Sequence, residues 1–563
     1  MLKNNNLEKF MLRLKQVLGQ DTQIYLSILI YGIGIGLLSL AIPISVQSLV
    51  NNIAFVVLYQ PIVIISVILL LLLIISGFLY AVQEYVSEQF QVNFYYRTSR
   101  DIALRMLNAV KSSEFFEKNK SSNLIKRYFE IMSVQKNFSY LLINGSFMLM
   151  QLLVGLIVLI FYHPYFIVFV LSLIFLIFMI WKISYEKSLL SAYDESKAKY
   201  ETVDWLENMT RASDVFQSQI SYHYAVKKTA AHIEKYLNKR KYHFHHIFSQ
   251  KISFIFIYAL MSAVILALGG WLVIREQLTL GQLVASEIIV TSILVSISKL
   301  GKYLEIFYDL VISLDKIGSF YDIPQHEQIG SQNSFTHKTL EFIKLKQKFQ
   351  DYDVSFSIKF KENKKYFVAY RYNSIKQVVV DLITKKNRID GGDVLLGEHS
   401  IADISVRTLM DNIYIIEEPI FFEGSILDNL IFNNQLEKAK IFNVFTSLAL
   451  DELLQITDLN DPLNEQTKYH FSRSQLIRLE MARAVLSDNK IIILTSIIDE
   501  LDDSRYQKVL SYLFSLEDRT VIYLGRNLRY EVKFDEGFYL TGESVINFEN
   551  ITELKKLKAK YEL

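Results

Sequence analysis

The chain contains 563 residues, of which 51% are hydrophobic and 21% are charged, and its formal net charge at pH 7 is +2. A chain of this composition is too apolar to be wholly soluble and too charged to be wholly embedded in a membrane, so we expect two domains in different solvents. The nearly balanced charge gives no indication of nucleic-acid binding, and the absence of cysteine excludes disulfides, thiolate metal sites and cysteine catalysis.

The first twenty residues are polar but carry apolar side chains at helical spacing. These apolar side chains, which share the spacing of a helix face, are Leu7, Phe10, Met11, Leu14, Val17 and Leu18. The segment is not followed by the small-residue cleavage site of a signal peptide. We therefore expect residues 1–20 to form an amphipathic helix on the cytoplasmic face of the membrane. The alternative is a frayed polar terminus.

Residues 21–324 contain six hydrophobic stretches, and each approaches the roughly 20 residues needed to cross about 30 Å of hydrocarbon. The stretches are residues 24–46, 62–82, 141–161, 166–183, 252–274 and 283–300. An even number of crossings places both termini on one side. The loops 83–136 and 182–251 are rich in lysine and arginine, whereas 47–60 and 162–164 contain neither. The positive-inside rule therefore places the long basic loops and both termini in the cytoplasm.

The long basic loops have a helical pattern, and residues 78–140 contain neither glycine nor proline. We therefore expect the spans to continue as helices into the cytoplasm. One residue of the sixth apolar stretch, Glu287, carries a carboxylate that is costly in lipid unless it is paired or hydrated. Two interpretations remain open: Glu287 lines a translocation path, or it is hydrated at the outer interface.

The second half of the chain has a different pattern. Residues 325–338 are polar, contain Gly330 and are typical of a linker. From residue 339 to residue 548, short aliphatic strands alternate with helical segments, and residues 549–563 would form a tail. The sequence therefore predicts an all-α six-span membrane domain followed by an α/β domain.

The most informative segment of the α/β domain, residues 469–503, pairs a helix with a buried strand. Residues 471–475 read FSRSQ before the helix, residues 491–494 are aliphatic, and residues 499–502 form a loop that ends in Leu-Asp. This order resembles an ABC transporter ATPase, whose segment reads LSGGQ, a helix, an aliphatic strand followed by Asp-Glu, and a loop ending in Leu-Asp. With six spans before it, the chain resembles an ABC exporter half-transporter. The resemblance implies that the α/β domain is an ABC-type nucleotide-binding domain.

Two local resemblances lie in the membrane domain. Residues 278–324 are similar to the peptide- and protein-secreting branch of these exporters. Residues 112–131 resemble the first coupling helix, which in this family touches the ATPase domains, and the resemblance assigns the contact to Phe115 and Phe116. The alternative is an ordinary solvated helical hairpin, which would need another surface to cover both rings.

The resemblance shows that the catalytic positions are replaced. Thr495 and Ser496 stand where the family has the metal-orienting Asp and the catalytic Glu. Lys376 and Gln377 align with the Lys and the Ser or Thr of the phosphate-binding loop GxxxxGK[ST], yet no glycine occurs between positions 331 and 390. A β-carbon at each former glycine raises the cost of the backbone conformation that surrounds phosphate. We therefore expect a degenerate phosphate loop and no catalytic residue.

Three further positions of the nucleotide site follow from the same comparison. Glu417 replaces the glutamine that ligates magnesium, and beside Glu418 it also fits a solvated acidic turn. Gly525 replaces the switch histidine. Phe349 stands where an aromatic ring stacks on adenine, although an aromatic residue at the end of a strand is also typical of a core.

The signature retains Ser472 and Gln475, whereas Arg473 and Ser474 replace its two glycines. In the family this segment contacts the γ-phosphate of ATP held by the opposite subunit, at a helix N-terminus. The SxxQ pattern is equally a capping box, which requires no nucleotide. Arg473 could supply a positive charge to a partner's phosphate, but a cap does not need it.

The resemblance implies ATP-driven export, of a peptide or protein, across the bacterial cytoplasmic membrane. It implies assembly with a second ABC half-transporter, as a homodimer or, preferably, a heterodimer. ATP and magnesium are expected only at a composite site with that partner, and the isolated chain is expected to bind no cofactor or metal. The bilayer is the other expected partner, a periplasmic adaptor protein remains open, and no nucleic acid is expected. The alternative function is a pseudo-ATPase membrane scaffold or regulator without transport activity.

Overall fold

The computed structural model describes residues 2–19, 22–55, 59–110, 121–326, 335, 337–349, 352–432, 436–456, 458–463 and 470–561. The chain forms two compact units. The first comprises residues 1–109 and 115–323, and the second comprises residues 110–114 and 324–563.

The first unit is helical, and ten α-helices lie in the part that the structure describes. They are α1 (Leu2–Leu18), α2 (Thr22–Leu38), α3 (Ala41–Phe55), α4 (Tyr59–Leu107), α5 (Ser121–Lys126), α6 (Glu130–Tyr162), α7 (Tyr165–Arg211), α8 (Gln219–Ile274), α9 (Leu280–Ser298) and α10 (Leu300–Tyr321). Short 3₁₀ turns at Arg127–Phe129 and Ser213–Phe216 complete the described secondary structure of this unit.

Six helical stretches of the first unit are long and apolar enough to cross a bilayer. They are Thr22–Ile53, Tyr59–Leu107, Leu124–Tyr162, Tyr165–Arg211, Gln219–Ile274 and Leu280–Tyr321. Each contains one of the apolar segments identified in the sequence. The prediction of a six-span, all-α membrane domain is therefore confirmed, and the chain is a multi-pass membrane protein.

Three of these helices are much longer than a bilayer crossing requires. Helices α4, α7 and α8 contain 49, 47 and 56 residues. At 1.5 Å per residue they are roughly 70–85 Å long, more than twice the hydrocarbon thickness. The long basic loops are thus continuations of the spans, as their helical pattern predicted.

Apolar side chains cover the outer surface of the spans. Leu70 and Ile74 on α4, and Leu171 and Phe175 on α7, are exposed. Such a surface would be unstable in water but is expected where helices contact lipid tails.

Helix α1 packs against the end of α10 within the first unit. The buried Arg13 side chain donates to the Gly318 carbonyl at 3.0 Å and to Asp322 Oδ1 at 2.8 Å. Met11 and Leu12 remain exposed. One face of α1 is therefore covered by protein, and contact of its exposed face with the membrane stays a prediction.

The second unit is an α/β domain. Its strands are β1 (Leu340–Phe349), β2 (Tyr352–Phe360), β3 (Lys365–Tyr370), β4 (Gly391–Leu396), β5 (His399–Ser400), β6 (Ile413–Ile416), β7 (Gly424–Ser425), β8 (Pro462–Leu463), β9 (Ile491–Leu494), β10 (Thr520–Gly525), β11 (Glu536–Leu540) and β12 (Val545–Phe548). Its helices are α11 (Asn373–Ile383), α12 (Val406–Asn412), α13 (Ile426–Ile431), α14 (Lys438–Ser447), α15 (Asp451–Ile456), α16 (Arg473–Leu486), α17 (Asp503–Phe514) and α18 (Ile551–Tyr561).

The strands form three sheets. The main sheet has the order β12-β11-β3-β10-β9-β6, and all its pairs are parallel except β11 with β12. An antiparallel sheet has the order β2-β1-β4-β5, and β7 pairs with β8. This arrangement confirms the predicted α/β class.

The central strands of the main sheet are apolar except at their first residues, Lys365 in β3 and Thr520 in β10, because both faces of the sheet are covered. Every residue of β3, β9 and β10 is buried. Successive side chains of β3 enter two cores: Phe367 and Ala369 join one, and Tyr366, Val368 and Tyr370 join the other. The buried sheet fixes the positions at which its strands end, and the candidate site lies at these ends.

Candidate functional site

The predicted nucleotide-site residues meet at one edge of the main sheet. The parallel strands β3, β9 and β10 end there at Tyr370, Leu494 and Gly525, and β3 and β9 both pair with β10. Thr495 and Ser496 follow β9 directly. Ligands of open α/β sheets bind outside this carboxyl edge, so the fold brings the positions that the resemblance assigns to the catalytic acids to the edge that a nucleotide would use.

The connection from β3 to α11 is too short to surround a phosphate. Only Arg371 and Tyr372 separate the end of the strand from the first helical residue, Asn373. A GxxxxGK[ST] loop uses its backbone N–H groups between strand and helix to hold phosphate. Lys376 here lies in the first turn of the helix, and Gln377 Nε2 donates to Asp381 Oδ1 at 2.8 Å within the same helix.

Tyr370 places an aromatic side chain at the end of β3. The residue is 1% exposed and belongs to the core on one face of the sheet. Burial raises the pKa of its hydroxyl, and the Ser496 hydroxyl, which lies close to it, partly offsets that shift. The Tyr370 side chain therefore packs toward Ser496, the position that the resemblance assigns to the catalytic Glu.

The two positions of the missing acids carry hydroxyl groups. Thr495 is buried, and its backbone N–H donates to the Ile416 carbonyl at 3.1 Å. Ser496 begins the 3₁₀ turn Ser496–Glu500. A neutral hydroxyl lacks the charge that holds magnesium and is a poor general base at neutral pH.

The Tyr523 ring occupies the space that a side chain at position 525 would need. A β-carbon at position 525 would be 2.5 Å from the Tyr523 ring. Tyr523 is fully buried, and its hydroxyl donates to Asp499 Oδ1 at 2.8 Å. A histidine at position 525 would therefore displace a core tyrosine. Asp499 follows the acid positions in sequence, and its carboxylate is engaged by this tyrosine.

Replacement of Asp499 by Asn is expected to change the pH dependence of stability. Burial raises the pKa of Asp499 above its ordinary value of 3.8. The stability that this carboxyl contributes is present below the unfolded pKa and is lost as the pH rises through the higher folded pKa. An amide does not titrate and still accepts the Tyr523 bond.

The melting temperature of Asp499→Asn, measured on the full chain, should therefore increase relative to that of the unsubstituted chain between about pH 4 and pH 7. Thermal melts across this range test the expectation. A difference that stays constant with pH would contradict it.

The signature residues form the capping box. Gln475 N donates to Ser472 Oγ at 3.2 Å, and Ser472 N donates to Gln475 Oε1 at 2.7 Å, at the start of α16. The structure therefore contains the capping box that the SxxQ pattern indicated. A role of Ser472 toward a partner's phosphate stays a prediction.

Arg473 connects the signature to two other loops at this edge. Its Nη2 donates to Glu418 Oε1 at 2.7 Å, and its Nε donates to Glu500 Oε2 at 2.9 Å. These bonds raise the pKa of Arg473. The expected acidic turn is solvated at Glu418, which is exposed although it is salt-bridged to Arg473, whereas Glu417 is half-buried after β6.

Helix α16 contains a buried ion pair that the sequence patterns did not predict. Arg483 Nη1 donates to Glu480 Oε2 at 2.8 Å, and both side chains are 8% exposed. Arg483 also donates to the Ile420 and Asn429 carbonyls, at 2.9 and 2.5 Å. These bonds hold the segment after Glu417 against α16. The sequence did contain an indication of this pair: Glu480 and Arg483 are opposite charges three residues apart on an otherwise apolar, buried helix.

The remaining predicted residues lie apart from this edge. Glu287 is half-buried on α9 in the first unit, and its Oε2 is buried without a hydrogen-bond partner among the described residues. Phe115 and Phe116 fall outside the described residues. The backbone of Phe349 pairs with Tyr352 at the end of β1, and its side chain is also outside the description. In the described part of the chain no group of three Asp, Glu or His residues could hold a metal ion.

Comparison with known proteins identifies the membrane unit. A family model described as the ABC transporter transmembrane region matches residues 25–297. These residues are an ABC transporter transmembrane region.

The whole chain also resembles a solved ABC exporter. A bacterial Atm1-family ABC exporter with ATP bound superposes with a TM-score of 0.81, over 96% of this chain and 98% of that chain, at 13% sequence identity. At this identity the likeness shows the fold. The ABC exporter fold thus extends over both units, as the resemblance in sequence predicted.

Three of the curated relatives of this chain are named as transport and processing proteins. The lactococcin-G-processing and transport ATP-binding protein LagD of Lactococcus lactis subsp. lactis is 29% identical over 190 residues, 33% of this chain and 27% of the relative. The lactococcin-A transport/processing protein LcnC of the same subspecies is 26% identical over 279 residues, 48% of this chain and 38% of the relative. The pediocin PA-1 transport/processing protein PedD of Pediococcus acidilactici is 23% identical over 300 residues, 49% of this chain and 40% of the relative. The chain thus spans less than half the length of these relatives.

Proposed function

We propose that this chain is a subunit of an ATP-driven ABC exporter that moves a peptide or protein across the bacterial cytoplasmic membrane, and that a partner subunit supplies the hydrolysis. The ABC exporter fold supports the transport role. The relatives named for transport of lactococcin G, lactococcin A and pediocin PA-1 support a substrate of the peptide class.

The connection between β3 and α11 carries the proposal that this chain does not hydrolyse ATP. Phosphoryl transfer depends on positioned phosphates, a bound magnesium ion and an oriented nucleophile. The connection leaves two residues where the phosphates would be held, and Tyr370 packs toward Ser496. Thr495 and Ser496 supply neither the metal-binding acid nor the base.

The proposed partner is a second, motif-intact ABC half-transporter. ABC ATPase sites form between subunits, so a partner with a complete phosphate loop could use the capped helix α16 of this chain at its own site. In that assembly Ser472 and Arg473 would face the partner's ATP. Arg473 would have to exchange a bond to Glu418 or Glu500 for the phosphate.

The bonds of Arg473 also favour a second candidate function, a pseudo-ATPase scaffold. Glu418 and Glu500 already neutralise Arg473, which is the only cation of the signature, so Arg473 needs no nucleotide phosphate as a partner. A scaffold of this kind would keep the fold and the membrane spans without driving transport.

Purification from native membranes tests the proposed assembly. A tagged chain should co-purify with a distinct chain that contains GxxxxGK[ST], LSGGQ and Asp-Glu, because only such a partner completes an ATPase site. A tagged version of the partner should recover this chain in return. Stable self-dimers as the only product would contradict the proposal.

A further inference from the structure

A polar cavity lies among four helices of the first unit. Its volume is about 280 Å³, and its walls come from α6, α7, α8 and α10. The charged side chains that line it are Glu130, Glu195, Lys199, Arg240 and Asp309. All five lie outside the apolar stretches, in the helical extensions at the side of the basic loops.

The charges of the cavity cancel in pairs, except for one carboxylate. Lys199 Nζ lies 3.3 Å from Glu130 Oε1, and Arg240 Nη1 lies 2.8 Å from Glu195 Oε1. Asp309 is exposed to solvent and makes no hydrogen bond or salt bridge within the part of the chain that the structure describes. Three carboxylates and two cations leave one negative charge, and it resides on Asp309.

A second polar group of the cavity is unpartnered and buried. Ser196 is 8% exposed, lines the cavity, and its Oγ has no hydrogen-bond partner among the described residues. A buried hydroxyl without a partner is unfavourable, so the site is incomplete as it stands. Asn137, from α6, adds an amide that also makes no described hydrogen bond and remains available in the wall.

We propose that this cavity binds a primary ammonium or guanidinium group, with Asp309 as its counter-ion and Ser196 as a hydrogen-bond acceptor. An N–H cation neutralises the remaining negative charge and satisfies the hydroxyl at the same time. A divalent metal fits less well, because Glu130 is already bonded to Tyr200 and Ser313, both at 2.7 Å, and Glu195 is bonded to Arg240.

Ligand-observed NMR on the full chain in nanodiscs without amine-bearing lipids tests the proposal. The probe is butylamine, and tetramethylammonium serves as a cation without N–H donors. Butylamine should bind with at least tenfold higher affinity than tetramethylammonium. Asp309→Asn should weaken butylamine binding at least tenfold, and Ser196→Ala should weaken it severalfold.

Glu305→Gln is the matched control. Glu305 lies one turn before Asp309 on α10, does not line the cavity and is salt-bridged to Lys251 at 2.7 Å. Because Glu305 acts on the cavity only through its charge, this variant should change butylamine affinity far less than Asp309→Asn does. Equal butylamine affinity in Asp309→Asn, or no butylamine binding to the unsubstituted chain, would overturn the proposal. Thermal melts of each variant check that the fold is intact.

A free amine and a lysine side chain of a peptide present the same ammonium group. Competition by a short peptide with a single lysine distinguishes the two sources. Displacement of butylamine by this peptide, but not by its lysine-to-norleucine analogue, would assign the cavity to a peptide side chain. Binding of butylamine without displacement would assign it to small free amines.

Discussion

Replacing Arg483 by Met is expected to destabilise the second unit by about 3–5 kcal/mol, the usual cost of breaking a buried ion pair. The substitution removes the donor to Glu480 and to the Ile420 and Asn429 carbonyls. The Glu480 carboxylate would then keep the Tyr414 hydroxyl, at 2.7 Å, and the Ile420 backbone, but no positive charge, in a site where burial already raises its pKa. Midpoints of urea unfolding of the full chain measure the loss.

The double variant Glu480→Gln with Arg483→Met is the control. It removes both charges, so it should recover part of the stability that the single variant loses. Hydrogen exchange of residues 413–431 should increase most in the single variant, because Arg483 binds the carbonyls of this segment. Unchanged stability in Arg483→Met, or a double variant less stable than the single one, would show that the ion pair does not hold the segment.

Replacing Arg473 by Glu is expected to lower the ATPase and transport activity of the proposed heterodimer by about tenfold or more. If Arg473 faces a partner's γ-phosphate, the reversal places a negative charge beside it. Two unit charges at 4 Å interact by about 1–4 kcal/mol at effective dielectric constants of 80 to 20, and each 1.4 kcal/mol is a factor of ten. A purely capping role predicts no loss of activity, because the capping bonds join Ser472 and Gln475 and do not involve the Arg473 side chain.

The structure supplies the control for this reversal. Arg473→Gln also loses the bonds to Glu418 and Glu500 but adds no negative charge, and exposed ion pairs contribute only about 0–1 kcal/mol each. The Glu variant should therefore be at least tenfold less active than the Gln variant. Ser472→Ala removes the cap acceptor and should cost about 1 kcal/mol of stability. Equal activity of the Glu and Gln variants would contradict a contact of Arg473 with the partner's phosphate and would favour the scaffold function.

Sequence patterns predicted the fold because it depends on hydrophobic periodicity. Six apolar stretches of nearly 20 residues allow only spans, and the aliphatic segment Ile491–Leu494 became a strand buried on both faces. The capping box at Ser472 was also predictable, since its partners lie three residues apart. These features are local in sequence, and tertiary packing did not override them.

The contacts of the candidate site could not be predicted in the same way. The partners of Arg473 are 55 and 27 residues distant in sequence, and Tyr523 reaches Asp499 across 24 residues. Periodicity carries no information on which distant side chains meet. The missing glycines and a loop that is about two residues too short in sequence predicted a degenerate phosphate loop, and in the structure only Arg371 and Tyr372 lie between β3 and α11.

ATP hydrolysis by the purified chain alone, in nanodiscs, tests the central claim most directly. The two-residue connection after β3 and the hydroxyls of Thr495 and Ser496 predict no magnesium-dependent hydrolysis above background, and the same result for Lys376→Ala. A magnesium-dependent turnover of about 1 per second, at the low end of ordinary enzyme rates, that is lost in Lys376→Ala would contradict the account.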